Sequence, residues 1–134
     1  MTNRVTIVEV GPRDGLQNEA ARIATADKVA FVERLAAAGL PVVEVTSFVR
    51  PDRVPQLADA REVFAALAGA SAPGHAPSSA TRYTALVPNL TGLREAVAAG
   101  VREVAIFAAA SEGFSQRNTN RSICLLYTSP SPRD

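Results

Sequence analysis

At 134 residues the chain is long enough to bury one modest core, and its 47% apolar and 20% charged residues exclude general disorder. Fourteen Lys and Arg against thirteen Asp and Glu give a formal charge of +1, with the basic residues scattered along the chain, which argues against a nucleic-acid partner. No stretch approaches the roughly 20 apolar residues that span a bilayer, so a soluble, cytoplasmic protein with no membrane partner is expected.

Residues 5–10, VTIVEV, alternate with period two and read as a strand, followed at once by the turn GPRDG. Residues 25–38 place Val29, Val32 and Ala36 on one helical face, and Gly39 supplies the stop. A second strand is expected at 42–46, then a loop, SFVRPDRV, and a helix from Pro55 to about Leu67. The third strand reads over 82–88, with Asn89 as N-cap of a short helix that ends at Gly100. A fourth strand, 101–109, is followed by SEGFSQRNTNRSI, the approach to a fourth helix. The order is βαβαβαβ, which calls for a parallel sheet covered by helices. Residues 69–80 are small residues and Pro, a loop that leaves His75 solvated and without a fixed partner. The single cysteine, Cys124, rules out an internal disulfide framework.

Ligands in such proteins bind outside the carboxyl ends of parallel strands, and the polar residues collect at that edge. Glu9 and Glu44 interrupt apolar strands. With Val43 and Val45 facing the helices, Val42, Glu44 and Thr46 are expected on the other face, where a carboxylate needs a partner or a metal. An internal ion pair or an exposed sheet edge would satisfy Glu44 equally well. Asp14 can ligate a divalent metal, and Arg13 can clamp negative charge developing on a carbonyl oxygen. Gln17 and Asn18 can orient either group. Ser111, Glu112, Ser115, Gln116 and Asn118 follow the fourth strand, as substrate contacts or as the polar start of a helix.

The segments VEVGPRDGLQNE (8–19), VEVTSFVRPDRVPQLAD (43–59), ALVPN (85–89) and GVREVAIFAAASEGFSQRNTNRSI (100–123) resemble the N-terminal part of the hydroxymethylglutaryl-CoA lyases. The wording GPRDGLQNE distinguishes them from the related isopropylmalate and homocitrate synthases. The resemblance covers residues 4–123 and implies an α/β fold, the incomplete N-terminal part of a (β/α)8 TIM barrel with about four strands and three helices. It further implies that Arg13 polarises the substrate carbonyl, that Asp14 is a ligand of Mg²⁺ or Mn²⁺, and that Glu44 stands near the metal and the substrate hydroxyl. Gln17 and Ser111 would contact substrate, and Glu9 would support the site. The implied reaction is the retro-Claisen cleavage of 3-hydroxy-3-methylglutaryl-CoA to acetoacetate and acetyl-CoA, as in leucine degradation.

Several departures qualify that expectation. The family's His-x-His metal ligands and its glycine-rich cysteine loop have no counterpart here, so neither His75 nor Cys124 is assigned to them. Residues 124–134, CLLYTSPSPRD, carry two Ser-Pro steps that oppose a helix and read as a foreign tail on a lyase domain at 1–123, whose gene would continue beyond it. A monomer of this length is expected to be inactive. The alternatives are a non-catalytic half-barrel that assembles with itself or a partner chain, and a lyase for a longer 3-substituted glutaryl-CoA. A homo-oligomeric parent is compatible with either.

Overall fold

The computed structural model describes residues 4–69 and 81–127, so the expected loop around His75 and the tail from 128 onward lie outside the described residues. Four strands form one parallel sheet in the order β1-β2-β3-β4: β1 (Val8–Glu9), β2 (Val42–Ser47), β3 (Arg82–Leu86) and β4 (Glu103–Ala105). The helices are α1 (Thr25–Ala37), α2 (Ala60–Gly69), α3 (Leu90–Ala98), α4 (Glu112–Thr119) and α5 (Ile123–Tyr127). Strand neighbours in sequence are neighbours in space, as short βα crossovers favour. The sheet is a partial α/β barrel wall.

The outer strands are shorter than their alternation suggests. β2 begins at Val42, level with Val8, so residues 5–7 have no ladder to join, and Val5 and Ile7 stay exposed. At the other edge, β4 pairs only with Thr84, Ala85 and Leu86. Strand propensity without a partner leaves extended backbone and no ladder.

Between the sheet and the helices lies a core of Val32, Val43, Val45, Phe48, Val63, Phe64, Leu67, Ala85, Val87 and Ala96. The rings of Phe48 and Phe64 sit 6.1 Å apart, tilted at 44°. Gly39 and Gly100 end their helices with φ of +85°, the left-handed turn that a side chain would oppose. Asn89 caps α3 as its sequence position suggests, its side chain accepting from the Gly92 N–H at 3.0 Å. The second helix differs from expectation: Pro55–Leu57 form a separate 3-10 turn, and α2 starts at Ala60. Ser111 caps α4, and Asn120 ends it with φ of 54°. α5 spans the junction at Cys124, where the foreign tail is expected to begin.

One strand detail overturns the face expected for Thr46. The pairing of β2 with β3 slips between Glu44 and Thr46, so Glu44 stands level with Thr84 while Thr46 stands level with Ala85. Ala85 belongs to the helix-side core, and residues level with one another in a parallel ladder share a face. The bulge therefore turns Thr46 away from Glu44 and toward the helices. Its Oγ1 is buried with no hydrogen-bond partner among the described residues, in a residue only 1% exposed.

Two substitutions test this packing. A Cβ at Gly92 would lie 2.4 Å from the Phe48 carbonyl oxygen, a backbone atom that cannot rotate aside. Gly92→Ala is expected to cost about 2 kcal/mol in urea denaturation, by overpacking. Thr46→Val keeps the shape and removes the unpartnered hydroxyl, so its denaturation midpoint should rise, by about 1 kcal/mol equivalent; a loss would mean that the hydroxyl has a partner.

Candidate active site at the strand ends

The turn after β1 is a π-helical turn, Gly11–Gly15, in which the Arg13 and Asp14 N–H groups both donate to the Val10 carbonyl, at 3.1 and 2.7 Å. Pro12 fits its first turn and is buried, since a missing donor costs nothing there. Glu9 steadies the entrance: its Oε1 accepts from the Gly11 N–H at 2.6 Å. The turn packs mainly against β2, which brings Arg13 onto Glu44.

Arg13 Nε donates to Glu44 Oε1 at 2.5 Å, and Arg13 Nη1 donates to Asp14 Oδ1 at 2.8 Å. The side chains of Arg13 and Glu44 are 16% and 7% exposed, whereas that of Asp14 is 52% exposed. Of the alternatives open for Glu44, the structure shows an internal ion pair, which removes the penalty of burying a lone carboxylate. Those two bonds use two of the five guanidinium N–H groups. A cation with spare donors is thus held rigidly beside an accessible carboxylate.

Gln17 is half-buried just beyond the turn. Asn18 acts on the backbone, donating from Nδ2 to the Asp14 carbonyl at 2.7 Å. Ser111 is exposed beyond β4, at the opposite side of the sheet order, where its Oγ accepts from the Phe114 N–H at 3.4 Å. Of the residues singled out by sequence, the fold therefore joins Arg13, Asp14 and Glu44 directly and gives Ser111 a capping bond.

Among the described residues, no three His, Cys, Asp or Glu side chains gather into a group that could hold a metal ion. Asp14 offers a hard, accessible oxygen suited to one corner of an octahedral Mg²⁺ or Mn²⁺ site. The donor set fits one corner and does not enclose an ion.

Residues that the sequence did not single out also carry polar partnerships. Lys28 is buried in α1, four positions before Val32 on its buried stripe. Its Nζ donates to the Gln56 carbonyl at 2.5 Å and to Asp59 Oδ1 at 2.6 Å. A lysine on an apolar helical face is the signal that could have marked it. In the loop after β2, Arg50 grips both oxygens of exposed Asp52, at 3.0 and 2.7 Å, and this hydrogen bonding holds the Asp52 carboxyl below its usual range. Burial raises the Tyr83 phenol, with a smaller contribution from the Glu33 charge.

Comparison with known proteins fits this geometry. The chain is 54% identical over 123 residues to a Pseudomonas aeruginosa protein named 3-hydroxy-3-isohexenylglutaryl-CoA/hydroxy-methylglutaryl-CoA lyase, covering 92% of this chain and 38% of that one. It is 50% identical over 123 residues to the rat mitochondrial hydroxymethylglutaryl-CoA lyase, covering 92% of this chain and 35% of that one. Names among the relatives include cytoplasmic as well as mitochondrial forms. A solved HMG-CoA lyase from Acinetobacter baumannii, in complex with coenzyme A and 3-methylmalate, matches with a TM-score of 0.80 at 31% identity, covering 95% of this chain and 40% of that one. The chain thus spans well under half the length of the proteins it matches. No helix among the described residues is long and apolar enough to cross a membrane. The HMGL-like family pattern matches residues 4–127, four residues past the junction read from the sequence, and the chain belongs to the HMGL-like family.

Proposed function

We propose that this chain is the N-terminal part of a cytoplasmic, metal-dependent lyase that cleaves 3-hydroxy-3-methylglutaryl-CoA into acetoacetate and acetyl-CoA. The observation that carries the reading is the buried Arg13–Glu44 pair with Asp14 beside it at the carboxyl ends of parallel strands. In the cleavage, the tertiary hydroxyl loses its proton, its oxygen becomes the ketone of acetoacetate, and the carbon–carbon bond breaks. The electron pair passes to the acetyl-CoA enolate, which then takes up a proton. Arg13 polarises the thioester carbonyl and stabilises the enolate oxygen through the donors not used by Glu44 and Asp14. Glu44 fixes the guanidinium and presents a carboxylate toward the substrate hydroxyl, while Gln17 and Ser111 contact substrate.

Asp14 would hold one corner of a Mg²⁺ or Mn²⁺ ion, with the other ligands supplied from outside this chain. When bound, the metal acidifies the hydroxyl. Residues 1–123 form the lyase part in this proposal and 124–134 stand outside it, so the chain alone is inactive.

The decisive experiment grafts residues 4–123 onto the remainder of the P. aeruginosa relative and assays the purified chimera with Mg²⁺ or Mn²⁺. It should release acetoacetate and acetyl-CoA, and Arg13→Met should lower kcat/KM by roughly 10³-fold, the scale of losing one charge-stabilising group. A folded, metal-loaded chimera that leaves the acyl-CoA intact would sink the reading. The P. aeruginosa name favours a second substrate, the isohexenyl analogue, so the same assay is run with both.

The exposed edge residues Val5, Ile7, Val104 and Ile106 favour a further reading, a non-catalytic half-barrel that assembles with another chain. Sedimentation of the isolated chain at increasing concentration separates the two. A discrete, folded oligomer supports assembly, and a monomer or open-ended aggregation supports the fragment.

A further inference from the structure

We propose that Lys28 and Gln56 are positioning residues: together they latch the loop that carries Arg13 and Asp14 to the entrance of α2. The catalytic meaning of this latch rests on the lyase reading, but its existence does not.

Hydrogen bonds and one peptide link, Asn18–Glu19, form a path between the two elements. From the first turn of α1, Lys28 Nζ reaches the Gln56 carbonyl at 2.5 Å and Asp59 Oδ1 at 2.6 Å, and Thr25 Oγ1 donates to Asp59 Oδ2 at 2.7 Å. From the same Gln56, the side-chain Nε2 donates back to the Glu19 carbonyl at 2.8 Å. Glu19 donates its own N–H to the Leu16 carbonyl at 3.2 Å, and Asn18 clasps the Asp14 carbonyl at 2.7 Å. The path thus runs from a buried ammonium, through one glutamine that uses both its backbone and its amide, to the peptide of Asp14.

Plain packing of α1 on α2 would not need this arrangement. A buried ion pair is a poor way to gain stability, since well-packed apolar side chains often do as well or better. An ammonium is strongly directional, however, and once desolvated it must keep fixed acceptors. Here one acceptor is a backbone carbonyl of the β2–α2 connection, so the lysine fixes a loop as well as a helix. Asp14 is half exposed: its N–H is held by the Val10 carbonyl and its own carbonyl by Asn18, and the residue after Asn18, Glu19, is tied by Gln56 to the entrance of α2. A reacting group must be held to within about half an ångström, and a latch of this kind supplies that precision.

The test uses the ¹⁵N-labelled 134-residue chain, without substrate or metal, and follows solvent exchange of the Arg13 Nε proton, which is held on Glu44. Gln56→Ala removes only the tie to Glu19, and Lys28→Met removes the buried charge. In both, exchange of the Arg13 Nε proton should accelerate by about tenfold or more, while the amides of Val43, Val45 and Ala85 stay within about twofold, the mark of local rather than global opening. Should Lys28→Met fail to fold, Gln56→Ala decides alone, because it leaves the Lys28 bonds in place.

Three results would overturn the proposal. The Arg13 proton could keep its exchange rate in Gln56→Ala, the sheet amides could loosen in parallel with it, or the unaltered chain could show no protected Arg13 Nε proton. Because no turnover is measured, loss of the latch and loss of the lyase reading are separate outcomes.

Discussion

A carboxylate on an inner strand governs this structure. Glu44 is almost fully buried on β2, flanked by β1 and β3, and nothing on its own strand can balance its charge. The counterion must come from a neighbouring strand end, and the turn after β1 folds back so that Arg13 can supply it. The other features of the turn follow from that requirement. Pro12 is buried beneath it, Glu9 closes its entrance, and Asn18 holds its exit. The constraint that makes the fold tolerable also makes it chemically useful, because a guanidinium fixed by a buried carboxylate cannot swing away when negative charge develops nearby.

The alternation of strands and helices was legible because each element carries its own signal. Val29, Val32 and Ala36 recur at helical spacing, Asn89 is a capping residue in the right place, and Gly39 and Gly100 mark stops that the backbone confirms. Glu44 stood out for the opposite reason, a charged group interrupting a strand position that should be apolar, and Arg13 and Asp14 stood out as a cation and a carboxylate side by side in the turn. What stayed hidden depends on pairing between segments far apart in sequence. The slip between Glu44 and Thr46 is a property of the β2–β3 ladder, and no residue in β2 announces it. The short outer strands are likewise set by their neighbours' lengths. Lys28 was overlooked because a single lysine in a helix usually faces water, and its partners lie 28 and 31 residues away.

Family membership and local geometry meet at one point, the strand-end cluster, and they contribute different things. The likeness to longer lyases, of which this chain spans 38% in the P. aeruginosa case, gives a reaction to consider. The geometry shows which part of that reaction these residues can serve: a rigid cation, a buried carboxylate, and one accessible oxygen for a metal. Among the described residues the cation and its buried carboxylate are paired, whereas no three candidate ligands gather around a metal position.

The strict β1-β2-β3-β4 order has a bearing on how such a wall is made during synthesis. Every new strand docks on the edge left by the one before it, so an emerging chain grows the sheet at one side only and never inserts a strand between two others. The Arg13–Glu44 pair links the first two strands and can close as soon as β2 has emerged, before β3 exists. The opposite margin, with Val5 and Ile7 bare, gains no strand from the later described segments. The Arg13–Glu44 corner is therefore among the first parts of this sheet to be built, on a strand whose outer edge none of the later described strands covers.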